Sequence, residues 1–369
     1  MRLGPWLGWV LAIVLAGCAS EKPKPTALQT IEPKIAGRLV WSARLDSVQF
    51  PLVVAVRDGA FIVAGTDGTV AAFEAGSGRE LWRGSAGTRL SAGVGSDGQF
   101  AAVVTRENEL VVLERGVERW RKRLNSRTTT APLVAGERVF VMGVDRVVLA
   151  FDMLDGRALW RLQRPSDALT LALPGVVSAF KDTLLVGQGA LLTGVDPTRG
   201  TVRWEVPLAS PRGTNEVERL ADLTGPALRV GDTVCARAFQ SAVGCADAST
   251  GALRWSRNVG GVQAVGGDGE YLFGADASDR ITAWRAGSGD LAWTNEAMLY
   301  RGLSGPLSAG TAVVFGDGEG FVHFLSRQDG QALLRLPTDG SPVVGVPALS
   351  GTTILVVTAK GGLFAFRPD

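Results

Sequence analysis

The chain has 369 residues, 46% hydrophobic and 20% charged, with 38 basic and 36 acidic side chains for a formal net charge of +2. That balance, with no lysine- or arginine-rich stripe, argues against nucleic acid or anionic lipid as an electrostatic partner. Forty-eight glycines, strand-like patterning throughout and few helical patterns argue against a helical bundle and fit an all-β globular domain.

At the N-terminus, Arg2 supplies a short positive region, and Trp6 to Leu15 form an apolar stretch too short to span a bilayer comfortably. It runs into Leu15-Ala16-Gly17-Cys18, which resembles a bacterial lipobox, where the cysteine is lipid-modified and becomes the first mature residue. Residues 1–17 are thus expected to be a signal peptide and Cys18 the lipidation site. No aspartate follows Cys18, so the inner-membrane retention signal is missing and the periplasmic face of the outer membrane is the expected address. Residues 18–37 read as the lipidated cysteine and a flexible tether, since Glu21-Lys22-Pro23-Lys24-Pro25 is charged, proline-broken and unable to bury a core. Fully extended, the tether reaches at most ~60 Å.

From Gly37 onward a glycine followed four positions later by a large apolar residue recurs about every 40 residues, the period of a repeated supersecondary unit. The pairs are Gly37/Trp41, Gly78/Trp82, Gly116/Trp120, Gly156/Trp160, Gly200/Trp204, Gly251/Trp255, Gly289/Trp293 and Gly330/Leu334. In the clearest unit, Leu52 to Arg57 and Phe61 to Thr66 are two strands, Asp67-Gly68 a hairpin turn, Thr69 to Phe73 a third strand, and Arg79 to Arg83 a fourth carrying Trp82. Four short antiparallel strands are one propeller blade. The glycine is expected to take a backbone conformation that a β-carbon would strain, and the tryptophan to lie against the next blade. The last repeat, Pro342 to Arg367, supplies three strands, and Gly37 to Leu45 supplies an outer strand with no blade before it. Joined, they make residues 38–369 an eight-bladed β-propeller of four-stranded antiparallel blades, the last closed by the N-terminal strand. Leu334 stands where the other repeats have tryptophan, so its blade contact is expected to be the softest.

The widest step in the ladder lies between Gly200 and Gly251, and its excess falls on a charged, proline-containing loop around Glu205 to Leu223. Long loops on rigid scaffolds are where binding tends to reside. Cys235 and Cys245 flank the next hairpin. Laying that blade on the first puts Gln240-Ser241 at the tip and Cys235 opposite Ala246, one residue out of step with Cys245, so a disulfide needs a bulge or a longer turn. The single histidine, His323, lies in a third-strand position and reads as a hydrogen-bonded structural residue.

The unit Asp-x-x-x-Gly-x-x-x-Trp, seen from Asp152 to Trp160 and from Asp196 to Trp204, resembles the repeat of quinoprotein-type propellers. With the lipobox, the tether and the blade count, the whole chain resembles the BamB family, lipoproteins of the β-barrel assembly machinery of the Gram-negative outer membrane. Residues 211–222, Pro-Arg-Gly-Thr-Asn-Glu-Val-Glu-Arg-Leu-Ala-Asp, are similar to a family stretch that ends Arg-Leu-x-Asp-Val-Asp, and Leu169-Thr170-Leu171 resembles the family's Leu-x-Leu-Arg. The resemblance implies a non-enzymatic scaffold, one copy within its complex, docking on the barrel-inserting subunit BamA. It places Leu169, Leu171, Glu218, Arg219, Leu220 and Asp222 at the partner surface. Ala172 replaces the family's arginine and Thr224 its second acidic residue, so a rim salt bridge is absent or supplied from elsewhere, with Arg212, Glu216, Glu218 and Arg219 nearby.

Pyrroloquinoline-quinone dehydrogenases share this repeat class, which makes a quinone enzyme the alternative reading. The chain lacks the adjacent cysteine pair and long inter-blade insertions of those enzymes, and no phosphate loop, metal cluster or catalytic triad is visible, so no cofactor, metal or catalytic residue is expected. A generic periplasmic propeller adaptor is a further alternative. Pairing of unfolded outer-membrane protein strands with blade edges is an additional partner mode open to propellers.

Overall fold

The computed structural model describes residues 23–164, 171–210 and 220–368. The expected signal peptide, residues 1–17, and Cys18 lie outside them. The described chain forms eight antiparallel sheets of four strands each. Blades 1 to 7 span residues 55–85, 90–123, 133–162, 177–207, 223–257, 266–295 and 307–337 in unbroken chain order. Blade 8 takes three strands from residues 343–367 and its outer strand from Arg38–Arg44, which pairs antiparallel with Gly362–Arg367. Ring closure by the N-terminal strand is as the repeat count requires, and it leaves the sheet stack without an open end.

The two middle strands of each blade are buried on both faces, as in Ala60–Ala64, where every residue is buried, while outer strands such as Glu80–Ser85 are largely exposed. In blade 1 the first strand is shorter than its hydrophobic run. It covers Ala55–Arg57, because Leu52 and Val53 pair instead with Gly93 and Val94 of blade 2 around the pore.

The turn before each outer strand explains the recurring Asp-x-x-x-Gly spacing. Gly156, Gly200 and Gly251 each donate their N–H to the carbonyl of Asp152, Asp196 and Asp247, four residues back. The aspartate side chain caps the same turn: Asp247 Oδ1 accepts from Ser249 N at 2.9 Å and Thr250 N at 3.0 Å. The Arg254 guanidinium first, and then these backbone bonds, hold the Asp247 carboxyl down at about 2 against the effect of burial.

The cysteine register differs from the expected one. Cys235 faces Cys245 directly, their Cα atoms are 4.1 Å apart, and they form a disulfide across the middle strands of blade 5. The hairpin closes from Ala238 to Ala242, so its tip is the odd-numbered run Phe239, Gln240 and Ser241 in place of a two-residue tip centred on Gln240-Ser241. One extra turn residue moves Cys235 into step with Cys245.

Residues 26–34 lie on the propeller. Thr26 N donates to Leu299 O and Lys34 N to Leu333 O, so the segment before blade 8 is held at both ends.

Candidate functional site

Within each antiparallel blade, the turn between the second and third strands and the connection leaving the fourth emerge on the same face of the ring. Backbone hydrogen bonds join the two sets on that face, as in Val144 N to Arg127 O and Gly318 N to Arg301 O. The connections leaving blades 3 and 4, residues 163–176 and 208–222, are the longest between successive blades, and their described ends, at Leu171 and Asp222, meet at one corner of the ring.

Asp222 ends the second connection and holds the corner together. Its Oδ2 accepts the N–H of Leu171 at 3.2 Å, which ties down the described end of the first connection. Its Oδ1 lies 2.7 Å from Arg146 Nη2, both side chains being about four-fifths buried. The Asp222 carbonyl accepts from Phe239 N at the tip of the disulfide-bearing hairpin of blade 5. Arg146 comes from the second turn of blade 3, where it adopts a φ of 60°, and its carbonyl accepts from Gln188 Nε2 of blade 4 at 2.7 Å. Thr129 and Thr130 complete the tie. Thr129 Oγ1 donates to Leu173 O at 2.9 Å, and Thr130 Oγ1 accepts from Gly175 N at 2.8 Å. The cleft between these groups holds only about 30 Å³, far below the several hundred of a small-molecule pocket.

Leu171 and Leu220 are half-buried beside Asp222, so the structure brings three of the six expected contact residues to this corner. Leu169, Glu218 and Arg219 lie outside the described residues, as do Arg212 and Glu216. Ala172 is exposed, and Thr224 is buried with its hydroxyl turned toward the Arg237 carbonyl, so neither position offers charge at the surface. At this corner a guanidinium is present from a turn of blade 3, that of Arg146, which pairs with Asp222. Nothing local in sequence marks Arg146. Overlaying the repeats does place Asp145-Arg146 at the same hairpin tip as Asp67-Gly68, on the face of the long connections.

Elsewhere the charges serve the scaffold. Arg237 is fully buried and donates to the carbonyls of Val259, Gly260, Gln263 and Ala275, binding blade 5 to blade 6. Burial pushes its guanidinium down to about 10, which leaves it charged at neutral pH. His323 is buried, with Nε2 2.9 Å from Asp317 Oδ2, and Arg301 pairs with the same carboxylate. Burial, reinforced by Arg335 and Arg301, holds the imidazole below its ordinary value despite Asp317.

Around the pore, blades 1 to 5 present Val54, Val56, Pro132, Leu133, Val177 and Pro226 among a lining with Arg57 as its one charged side chain and no carboxylate or amide side chain. A quinone with Ca²⁺ needs carboxylate and amide oxygens on the metal, so this lining does not fit that pair. Among the described residues no group of three His, Cys, Asp or Glu side chains could hold a metal ion.

Eight like blades, a self-closed ring and one clasped rim corner define an eight-bladed β-propeller of the quinoprotein-like repeat class. A family profile described as outer membrane protein assembly factor BamB matches residues 66–295. The chain is 35% identical to the outer membrane protein assembly factor BamB of Burkholderia pseudomallei over 365 residues, covering 96% of this chain and 95% of that protein. It is 33% identical to the BamB of Bordetella pertussis, covering 99% and 97%. Among solved structures it matches BamB from Moraxella catarrhalis with a TM-score of 0.81 at 22% identity, over 90% of this chain and 99% of that one. A quinohemoprotein alcohol dehydrogenase from Comamonas testosteroni matches with a TM-score of 0.67 at 14% identity, over 90% and 76%. Those two structural likenesses are likenesses of fold. The chain belongs to the BamB family of outer membrane protein assembly factors.

Proposed function

We propose that this protein is a non-enzymatic scaffold of outer-membrane protein assembly, lipid-anchored through Cys18 at the periplasmic face of the outer membrane. It docks on a BamA-like barrel-inserting subunit with the corner where blades 3, 4 and 5 meet. The observation that carries the docking surface is the Asp222 clasp. A carboxylate in the family-like motif ties Leu171, in the connection leaving blade 3, and Arg146, in a turn of blade 3, into one rigid rim. Likeness over 95% or more of the length of proteins named as assembly factors supports the role, and the lack of acidic and amide side chains where blades 1 to 5 line the pore counts against a quinone enzyme.

The rigid corner would lower the ordering cost of association, since the loop ends are already fixed before the partner arrives. Because Asp222 is satisfied within the chain, its part in docking is to position Leu171 and the adjoining connection. Affinity purification of the tagged, anchored protein from detergent-solubilised outer membranes tests the reading. Recovery of the barrel-inserting subunit is expected, with loss of that subunit in the Asp222→Arg, Leu171→Ala variant. Recovery of no assembly subunit by the intact protein contradicts the scaffold role. Quinone-dependent dye reduction by the pure protein would revive the enzyme reading. Lipidation is checked separately, by the mass of the N-terminal peptide and by release of the Cys18→Ser protein from membranes.

A further inference from the structure

Between residues 23 and 37, Thr26, Leu28, Ile31, Ile35 and Gly37 are half-buried while the others are exposed, the pattern of an extended segment with one seated face. Leu28 and Ile31 line a groove with Met298 at the outer side of blade 6 and Leu325, Ala332 and Leu334 of blade 7. Two arginines clasp the backbone above them. Arg301 Nη1 donates to Thr26 O at 2.9 Å and Arg335 Nη1 to Gln29 O at 3.0 Å. Arg301 is fixed in turn by the buried Asp317 carboxylate, so this clasp is rooted in the core of blade 7. At the other end Lys34 Nζ donates to Gln331 Oε1 at 2.7 Å, beside its backbone bond to Leu333. The strap therefore runs across the thickness of the ring, from the turn before the outer strand of blade 7 to the 296–306 connection.

That connection lies on the same face as 163–176 and 208–222. The chain thus leaves the propeller, in the direction of Cys18, from the face that carries the candidate docking corner. Thr26 is only eight positions along the chain from Cys18, a reach of at most ~28 Å and a coil span of ~16 Å. We infer that the strap turns this face of the propeller toward the bilayer, so that the long connections lie on the membrane side and the turns before the outer strands, such as 153–157, face away. The inference rests on the anchor at Cys18 proposed above. Without the strap, the full tether would let either face approach the membrane.

Two single-cysteine reporters on opposite faces read the orientation: Arg106→Cys in a turn on the strap-exit face and Leu154→Cys on the other, both at exposed positions. The lipidated protein is placed in phosphatidylethanolamine–phosphatidylglycerol vesicles containing a headgroup energy acceptor. Stronger transfer from a donor at position 106 than at 154 is expected, and that difference should be lost in the Leu28→Asp, Ile31→Asp variant, whose changes lie outside the blades. Equal or reversed transfer in the intact chain overturns the orientation, and an unchanged difference in the variant overturns the strap as its cause. Hydrogen exchange at the amides of Thr26 and Lys34 reports strap seating without any lipid. Slow exchange is expected there, and exchange as fast as at the exposed Lys24 amide overturns the strap. A chain that fails to float with the vesicles refutes the anchor, and the orientation with it, while leaving the exchange readout intact.

Discussion

Six of the eight ladder glycines serve the tryptophan of the preceding blade, and only the pairing between repeats explains their identity. A β-carbon on Gly200 would sit 2.6 Å from Trp160 Cε3, and one on Gly78 2.5 Å from Trp41 Cδ2; the same holds for Gly156 under Trp120, Gly251 under Trp204, Gly289 under Trp255 and Gly330 under Trp293. Indole N–H groups of Trp41, Trp120, Trp160, Trp255 and Trp293 donate onward to carbonyls of the next blade. Gly37 meets Leu334 instead, and Gly116 closes a shorter turn and meets the backbone of Arg83. Gly231 shares a positive φ with Gly200 yet has open space around it, so the two separate backbone strain from stacking. Gly231→Ala is expected to cost about 1–2 kcal/mol and Gly200→Ala clearly more, as read by denaturant unfolding. Equal losses would show that the stacking contributes nothing.

His323 gives a pH signature at the same scale. Its pKa in the fold lies below 6.5, so as pH falls through 6.5 the unfolded chain takes up a proton that the folded chain refuses. Stability is expected to fall with acidification in that window, until the folded imidazole itself titrates. Chemical unfolding at a series of pH values checks this, and the slope should be lost in His323→Gln. The aspartate beside it acts lower. Burial raises the Asp317 carboxyl, but the bonds from His323, Phe321 N and Arg301 outweigh burial and leave it below 3.8, so its contribution is present above that value and is lost as pH falls further. The burial of His323 was legible from its strand position, whereas Arg237 was not, because nothing in sequence distinguishes an arginine satisfied by four carbonyls from an exposed one.

Among elements, the outer strands carry a feature hidden from periodicity. Every one is bulged at the residue before the ladder tryptophan or leucine, as where Ala150 pairs with Trp160 but Phe151 with Ala158. The extra residue re-aims the strand so that the indole reaches across to the next blade. Strand count and order could be read from turn residues, but register could not, and the disulfide of blade 5 shows why: one residue more in a hairpin tip changes every partner. The seam at Leu334 is a third case. Leucine seats on Gly37, and an apolar cavity of about 490 Å³, lined by Phe324, Leu334, Leu349, Ile354 and Phe366, opens between blades 7 and 8. Leu334→Trp is expected to raise stability by about 0.5–2 kcal/mol through cavity filling, read as a higher Tm. A lower Tm would mean that the cavity is shaped against an indole.

At the scale of the whole molecule, closure by the strand Arg38–Arg44 makes the ring rigid and commits the N-terminal segment to the seam it passes. The sequence carried the fold through its repeats and pointed to the corner through the wide step after Gly200. It could not carry the clasp, because Arg146, Leu171 and Asp222 belong to three successive stretches that only the ring brings together. Affinity of the purified propeller for the periplasmic domains of a barrel-inserting subunit, measured across the cycle Arg146→Asp, Asp222→Arg and their combination, reads the corner most directly. Each single change should weaken binding by about tenfold or more, as expected when two like charges are forced together in a largely buried site. The swapped pair should recover part of the loss, since it restores the ion pair while an arginine at 222 cannot accept the Leu171 N–H. Unchanged affinity in both single variants would place the docking surface elsewhere on the ring.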